Sequence, residues 1–256
     1  MEEHRMNQLN SIEPDLVLDR APIRDGEVGI FWLDGADIGH EPSALIEQLG
    51  ALLDKIEDDG RIALLVLRYP GAGSEAQAHT HLRISEHRRL EQQIQRMESL
   101  PMISVAWVDG LCVGAPFELA VAADLCFATA NASFSCPQVR EGRLPGLSVN
   151  RLPRLIGARA ARRLLLLGET WDASRARETG LIDGVLGADQ LDQYVDELAA
   201  RLPQDDGVAL QMCRRLIGEA HSSGYETGLG HFMAAQMRCD DVARAILTTL
   251  PSCRSL

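Results

Sequence analysis

Between Val108 and Ala120 the chain runs from an apolar stretch of strand length, through turns marked by Gly110 and Gly114, into a helix opening with Pro116 and carrying one carboxylate, Glu118. N–H groups at a helix start lack intrahelical partners and sit at the positive end of the helix dipole, so they can receive an oxyanion. Glu118 lies one turn in, on a helix that is otherwise apolar (Leu119, Ala120, Val121, Ala122, Ala123). A carboxyl there is expected to be partly desolvated and to serve as a general acid or base. Donor and carboxylate at this spacing point to enolate chemistry on a carbonyl compound. The same pattern describes an ordinary α/β crossover with a first-turn, dipole-stabilising glutamate, so the residues downstream must decide between the two.

The 256 residues are enough for one domain, or for one domain with a helical appendage, and 46% hydrophobic with 24% charged residues is ordinary for a globular chain. No apolar run approaches the ~20 residues of a membrane span, and the opening Met1–Arg5 has no apolar signal-like region, so a cytoplasmic protein with no membrane partner is expected. Six cysteines show neither CxxC pairs nor zinc-finger spacing. Cys112, Cys126 and Cys136 fall in apolar stretches, where buried free thiols are expected, and no metal site is expected. The net charge of −12, with Lys55 the single lysine, argues against nucleic-acid binding. An anionic ligand, whether a phosphorylated coenzyme or an acidic carrier protein, would need a local arginine patch. Arg83, Arg88 and Arg89 are candidates; their alternative is a solvated helix face beside Glu86 and Glu91.

Along the chain, the first 20 or so residues read as a polar extension. Strands are expected over 27–33, 62–67, 103–107, 124–129 and 132–135. Helices are expected over 43–56, where Leu45, Ile46, Leu49, Leu52, Leu53 and Ile56 repeat at helical spacing, and over 83–99. Beyond residue 150 nearly everything reads as helix: 158–167, 173–179, 190–202, 208–220 and 225–247. Alternating strand and helix with a helical final third predicts an α/β core with a helical C-terminal region. The expected division is an extension over 1–20, a core over 21–186 and a helical region over 187–256.

The order Ala76-Gln77-Ala78-His79, then Val108-Asp109-Gly110, Gly114-Ala115-Pro116-Phe117-Glu118-Leu119 and Ala123-Asp124, resembles the enoyl-CoA hydratase/isomerase (crotonase) superfamily. Phe134 to Gly146 resembles that family's F-x-x-P-E-x-x-x-G-x-x-P-G run. Arg151-Leu152, Ile156-Gly157, Leu167-Gly168-Glu169, Asp172-Ala173 and Gly180-Leu181-Ile182-Asp183 resemble its later landmarks. The resemblance covers about residues 26–250, and its specific part is 103–186. It implies a crotonase-like (ClpP/crotonase) α/β fold, a spiral of β-β-α units whose C-terminal helical region mediates assembly into a homotrimer or a dimer of trimers.

The resemblance also implies an enzyme acting on an acyl-CoA or related thioester, through an enolate held by two backbone N–H groups. Carried over, these belong to Ala78 and Ala115, with Glu118 as the glutamate that activates water. The family's second glutamate falls on Gln138, whose amide cannot exchange a proton at neutral pH but can orient water or substrate. Glu141 either substitutes for it or is a solvated loop carboxylate. Ala76, His79, Pro137, Glu141 and Gly142 are the implied substrate-binding positions; His79 and His81 are either proton donors or a surface pair. Gln77 stands where the family has glycine, and the loop Gly35–Glu41 is acidic where a cation would serve a coenzyme. Hydration or dehydration of an enoyl thioester is the first expectation, with no cofactor beyond the coenzyme A of the substrate. Double-bond isomerisation and decarboxylation are alternatives, as is an accessory subunit acting with a pathway-enzyme partner in polyketide or aromatic building-block assembly.

Overall fold

The computed structural model describes residues 29–34, 42–59, 63–69, 82–202, 207–220 and 224–249. Its strands are β1 (Gly29–Asp34), β2 (Ala63–Tyr69), β3 (Met102–Val108), β4 (Leu111–Cys112), β5 (Leu125–Ala128), β6 (Ser133–Ser135), β7 (Thr170–Asp172) and β8 (Gly184–Val185). The helices, numbered in chain order, are α1 (Pro42–Asp59), α2 (Ile84–Ser99), α3 (Ala115–Ala122), α4 (Ser148–Leu155), α5 (Ala158–Leu167), α6 (Ala173–Thr179), α7 (Ala188–Arg201), α8 (Val208–Glu219) and α9 (Tyr225–Thr249). A short 3-10 helix spans Pro137–Glu141.

The larger sheet is parallel, in the order β1-β2-β3-β5-β8. Its strand β2 is apolar and buried from Ala63 to Leu67 because both sheet faces are covered there. Ala63, Leu65 and Leu67 pack with Ile46, Leu49 and Leu53 of α1 and Leu90, Ile94 and Met97 of α2. Leu64 and Val66 pack with Val105, Trp107 and Phe127, and with Leu191 and Val195 of α7. The smaller sheet, β4-β6-β7, pairs Cys112 with Phe134 in parallel and Phe134 with Trp171 antiparallel. Phe117 of α3 joins Phe134, Leu152, Leu164 and Trp171 in a third apolar cluster. Cys112, Cys126 and Cys136 are buried free thiols. Burial pushes the Cys126 and Cys136 thiols up to about 12.

Two corrections to the sequence reading concern the chain beyond residue 150. It is interrupted by β7, which closes the small sheet, and by β8, whose Gly184 and Val185 pair with Phe127 and Ala128. Strands of two or three residues exist through tertiary pairing alone and are too short to show a period. The expected extension over 1–20 lies outside the described residues.

The helical region is fastened by Arg214 of α8. Its guanidinium donates to both Asp124 oxygens at 3.0 and 2.9 Å and to the Leu100 carbonyl at 2.7 Å. Asp124 in turn accepts from the Ser104 N–H at 2.8 Å and its hydroxyl at 2.7 Å. Helix α9 packs on α8, where His231 Nδ1 lies 2.6 Å from Glu219 Oε2. Among the described residues no helix is long and apolar enough to cross a membrane.

Candidate active site

The chain leaves β3 at Val108, turns at Gly110 and forms β4, reaching Gly114 with φ of 71°. That conformation disfavours any side chain, and it turns the backbone directly into α3. Pro116 fits the first turn because no N–H is needed there. The Glu118 N–H closes on the Gly114 carbonyl at 3.1 Å. The Ala115 N–H makes no hydrogen bond among the described residues. A helix N-terminus with a donor left over is therefore present where the sequence pattern placed it.

Glu118 is 4% exposed. Its Oε2 accepts the Ser148 N–H at 2.9 Å, so the carboxylate satisfies one of the orphan donors at the start of α4. A Cβ on Gly146 would lie 3.0 Å from the Glu118 Cδ, so Gly146 gives the carboxylate its room. Burial raises the Glu118 pKa; the Ser148 contacts and Arg151 oppose that shift, and Glu91 adds to it. Arg151 is itself held by Glu91 through two hydrogen bonds, at 2.6 and 2.9 Å.

Glu118 opens onto a cleft of about 550 Å³. One wall is the start of α2, with Leu82, Arg83, Ile84 and His87; the opposite wall is the 3-10 helix and the loop after it, with Pro137, Gln138, Glu141, Arg143, Leu144 and Pro145. Val113, Gly114 and Gly146 complete it. Gln138 presents a buried Oε1 without a hydrogen-bond partner, an acceptor aimed at nothing the described residues supply. His87 is half-buried, and its imidazole makes no hydrogen bond among the described residues. Burial lowers its pKa, with neighbouring Glu86 acting against that. Arg83 is bound to Glu86 at 2.7 Å, an interaction that holds the Glu86 carboxyl at about 2.

The structure thus gathers Glu118, Pro137, Gln138 and Glu141 on one cleft, with Ala115 immediately after its Gly114 wall. Gly142 ends the 3-10 helix at φ of 73°, a turn conformation that favours glycine. Ala76, Ala78, His79 and His81 lie outside the described residues, as does the 35–41 loop. Of the candidate phosphate contacts, Arg83 reaches the cleft, whereas Arg89 pairs with Glu47 at 3.2 Å and Arg88 is exposed away from it. His87, Arg143 and Ser148 were not singled out in the sequence. His87 was detectable, because it stands in line with buried Leu90, Ile94 and Met97 on the inner face of α2. Among the described residues no group of three or more His, Cys, Asp or Glu side chains is arranged to hold a metal ion.

The enoyl-CoA hydratase/isomerase family model matches residues 43–230. The chain belongs to the enoyl-CoA hydratase/isomerase family. It is 33% identical over 219 residues to an enoyl-CoA hydratase of Amycolatopsis orientalis, covering 84% of this chain and 96% of that protein. An enoyl-CoA hydratase/isomerase crystal structure from Cupriavidus metallidurans superposes with a TM-score of 0.72 at 25% identity, covering 93% of this chain and 95% of that one. A Thermobifida fusca protein crystallised with acetoacetyl-CoA has a TM-score of 0.66 at 22% identity over 84% of this chain and 92% of that one. These neighbours establish the crotonase fold, with its parallel sheet and C-terminal helices.

Proposed function

We propose that this family member is an acyl-CoA hydro-lyase, adding water to an enoyl thioester or removing it from a β-hydroxyacyl thioester. The observation that carries the reading is the buried Glu118 carboxyl on the cleft, one helical turn from the Ala115 N–H, which has no partner among the described residues. In hydration, Glu118 takes a proton from water as the oxygen bonds to the β-carbon. The electron pair of the double bond moves to the thioester oxygen, and the enolate returns as the α-carbon gains a proton. The Ala115 N–H holds that oxygen; the family likeness assigns the second donor to Ala78. One such donor is worth about 3–4 kcal/mol of barrier in mutational data. Gln138 orients the water or the β-hydroxyl through its orphaned Oε1.

Arg83 and Arg143, on the cleft in a chain of net charge −12, supply the positive charge that an anionic coenzyme requires. The name of the Amycolatopsis relative and the acetoacetyl-CoA in the Thermobifida structure support a coenzyme A thioester as the substrate. No further cofactor enters the reading. Assembly is read as a homotrimer or dimer of trimers, through α9. A second reading, a subunit that assists a pathway enzyme without its own turnover, is favoured by one observation: Gln138 occupies the position of the family's proton-exchanging glutamate.

The deciding experiment incubates the protein in D₂O with a panel of enoyl- and β-hydroxyacyl-CoA thioesters, tracking water addition or loss and α-deuterium by mass spectrometry. Turnover by the wild type that falls by about 10²–10⁴-fold in Glu118→Gln is the expected result. Undiminished turnover in that variant, or silence of the wild type across the panel, overturns the hydro-lyase reading.

A further inference from the structure

We infer that His87 is a catalytic residue of this cleft, the group that exchanges the proton at the substrate α-carbon in place of Gln138. The inference rests on the hydro-lyase reading and adds to it a residue outside the family pattern. Hydration and dehydration each move two protons, one at the oxygen and one at the α-carbon. Glu118 serves the oxygen, and the carboxamide of Gln138 has no proton to exchange at neutral pH. Among the described residues, the remaining polar side chains on the cleft are Arg83, His87, Glu141 and Arg143. Guanidinium stays protonated, so neither arginine can act as a base. Glu141 is exposed at the end of the 3-10 helix, in a position where solvent competes with any substrate.

His87 has the opposite surroundings. It is half-buried, its imidazole makes no hydrogen bond among the described residues, and α2 holds it inward above the fully buried Leu90, Ile94 and Met97. A half-buried imidazole at the wall of a cleft, with no partner among the described residues, is available to a ligand. The charged groups around it are Arg83 and Glu86 on its own helix, Glu118 on α3, and Glu141 and Arg143 across the cleft. From α1, which packs on α2, Glu47 is engaged by Arg89.

The two environments push the pair apart in a useful direction. Burial lowers the His87 pKa and raises that of Glu118, so each site disfavours the charged form of its own group. A neutral imidazole and a carboxylic acid are the base and the acid that a dehydration needs. A ring nitrogen of His87 takes the α-proton, and the C–H pair becomes the enolate, whose oxygen the backbone N–H holds. As the enolate collapses to the double bond, the β-hydroxyl leaves with the Glu118 proton as water. Imidazolium and carboxylate remain, which is the pair that hydration starts from.

The test uses the full chain with crotonyl-CoA and 3-hydroxybutyryl-CoA from the thioester panel, comparing wild type, Glu118→Gln, His87→Gln and His87→Ala, with thermal melts to show that each variant is folded. The expected result for His87→Gln is a kcat lower by about 100-fold with little change in KM. Its pH profile loses the limb on which wild-type dehydration falls as acid protonates the imidazole. Added imidazole is expected to restore about tenfold of the rate lost in His87→Ala, which a merely structural role would not allow. The inference is overturned if His87→Gln keeps both kcat and that acid limb, or if His87→Ala is not rescued and keeps the limb. An inactive Glu118→Gln beside an unimpaired His87→Gln removes His87 alone and leaves the hydro-lyase reading standing. Full activity of Glu118→Gln, or a silent wild type, removes the function itself and the inference with it.

Discussion

Glu118 concentrates a conflict between stability and chemistry in one side chain. Its pKa is raised by burial, so the folded state holds the proton more tightly than the unfolded chain does. Between the ordinary carboxylate range and the raised value, stability therefore falls as pH rises, and above it the full penalty remains. Above the raised pKa, Glu118→Gln is expected to melt a few degrees higher than the wild type, because the amide can still accept the Ser148 N–H while nothing charged is buried. The same variant is the one expected to lose turnover, and a melting curve beside the activity assay checks both halves. Gly146→Ala examines the space around that carboxylate: the new Cβ would lie 3.1 and 3.2 Å from the two oxygens. Displacing a reacting group by a few tenths of an ångström is expected to lower kcat about tenfold with the fold intact, and an unchanged kcat would show that the carboxylate has slack. At this scale the sequence was legible where backbone rules applied. Gly114, Pro116 and Glu118 are a turn, a helix start and a carboxyl one turn in, whatever packs around them. Ser148, Gly146 and the inward placement of His87 depend on chain folding back from elsewhere, and spacing along the sequence carries no trace of the first two.

Elements divide in the same way. Helices α5 and α6 have the bounds expected of them, and the apolar strand β2 was recognisable because covered sheet faces demand an unbroken apolar run. β4, β7 and β8 were invisible since each is two or three residues long and owes its existence to a partner strand. What holds the helical region to the core was equally hidden: Asp124 belongs to the family pattern, but Arg214 is far from it in the chain and does not stand out among the charges. The Arg214 side chain is 8% exposed, and its bonds reach Asp124 and the carbonyls of Met97 and Leu100 at the end of α2. Removing one member of a buried pair leaves the other uncompensated, which typically costs about 3–5 kcal/mol. Arg214→Met is expected to lose about 3 kcal/mol, which for a chain of this size lowers the melting temperature by about 6–12 °C. Because α9 packs on α8, limited proteolysis should then cut α8 and α9 sooner than in the wild type, and a variant that melts like the wild type would assign the attachment of α8 to its apolar contacts instead.

For the whole molecule, the decisive feature is what α9 leaves uncovered. Leu229, Phe232, Met233 and Met237 recur at helical spacing and are 42%, 49%, 52% and 64% exposed. Ile217 of α8 is exposed on the same attached pair of helices. A helix covers its apolar stripe against something, and among the described elements the main packing partner of α9 is α8. The family resemblance names a second copy of the chain as the cover, in a trimer or dimer of trimers. The charge of −12 sharpens that expectation: copies of an acidic chain repel one another, so association must be carried by apolar burial and should persist at low ionic strength, where a contact resting on like-charged surfaces would fail. Light scattering on the purified protein is expected to give three or six times the 28.0 kDa chain mass, with little change between low and high salt. Phe232→Glu places a charge in the middle of the stripe and is expected to shift the protein to monomer. The Glu118 environment is built by α3, Gly146 and Ser148 at the start of α4, and not by α9, so the monomeric variant should keep its core fold and that environment. A wild type that sediments as a monomer would leave the exposed stripe to a different partner, and that partner would then be the first thing to identify.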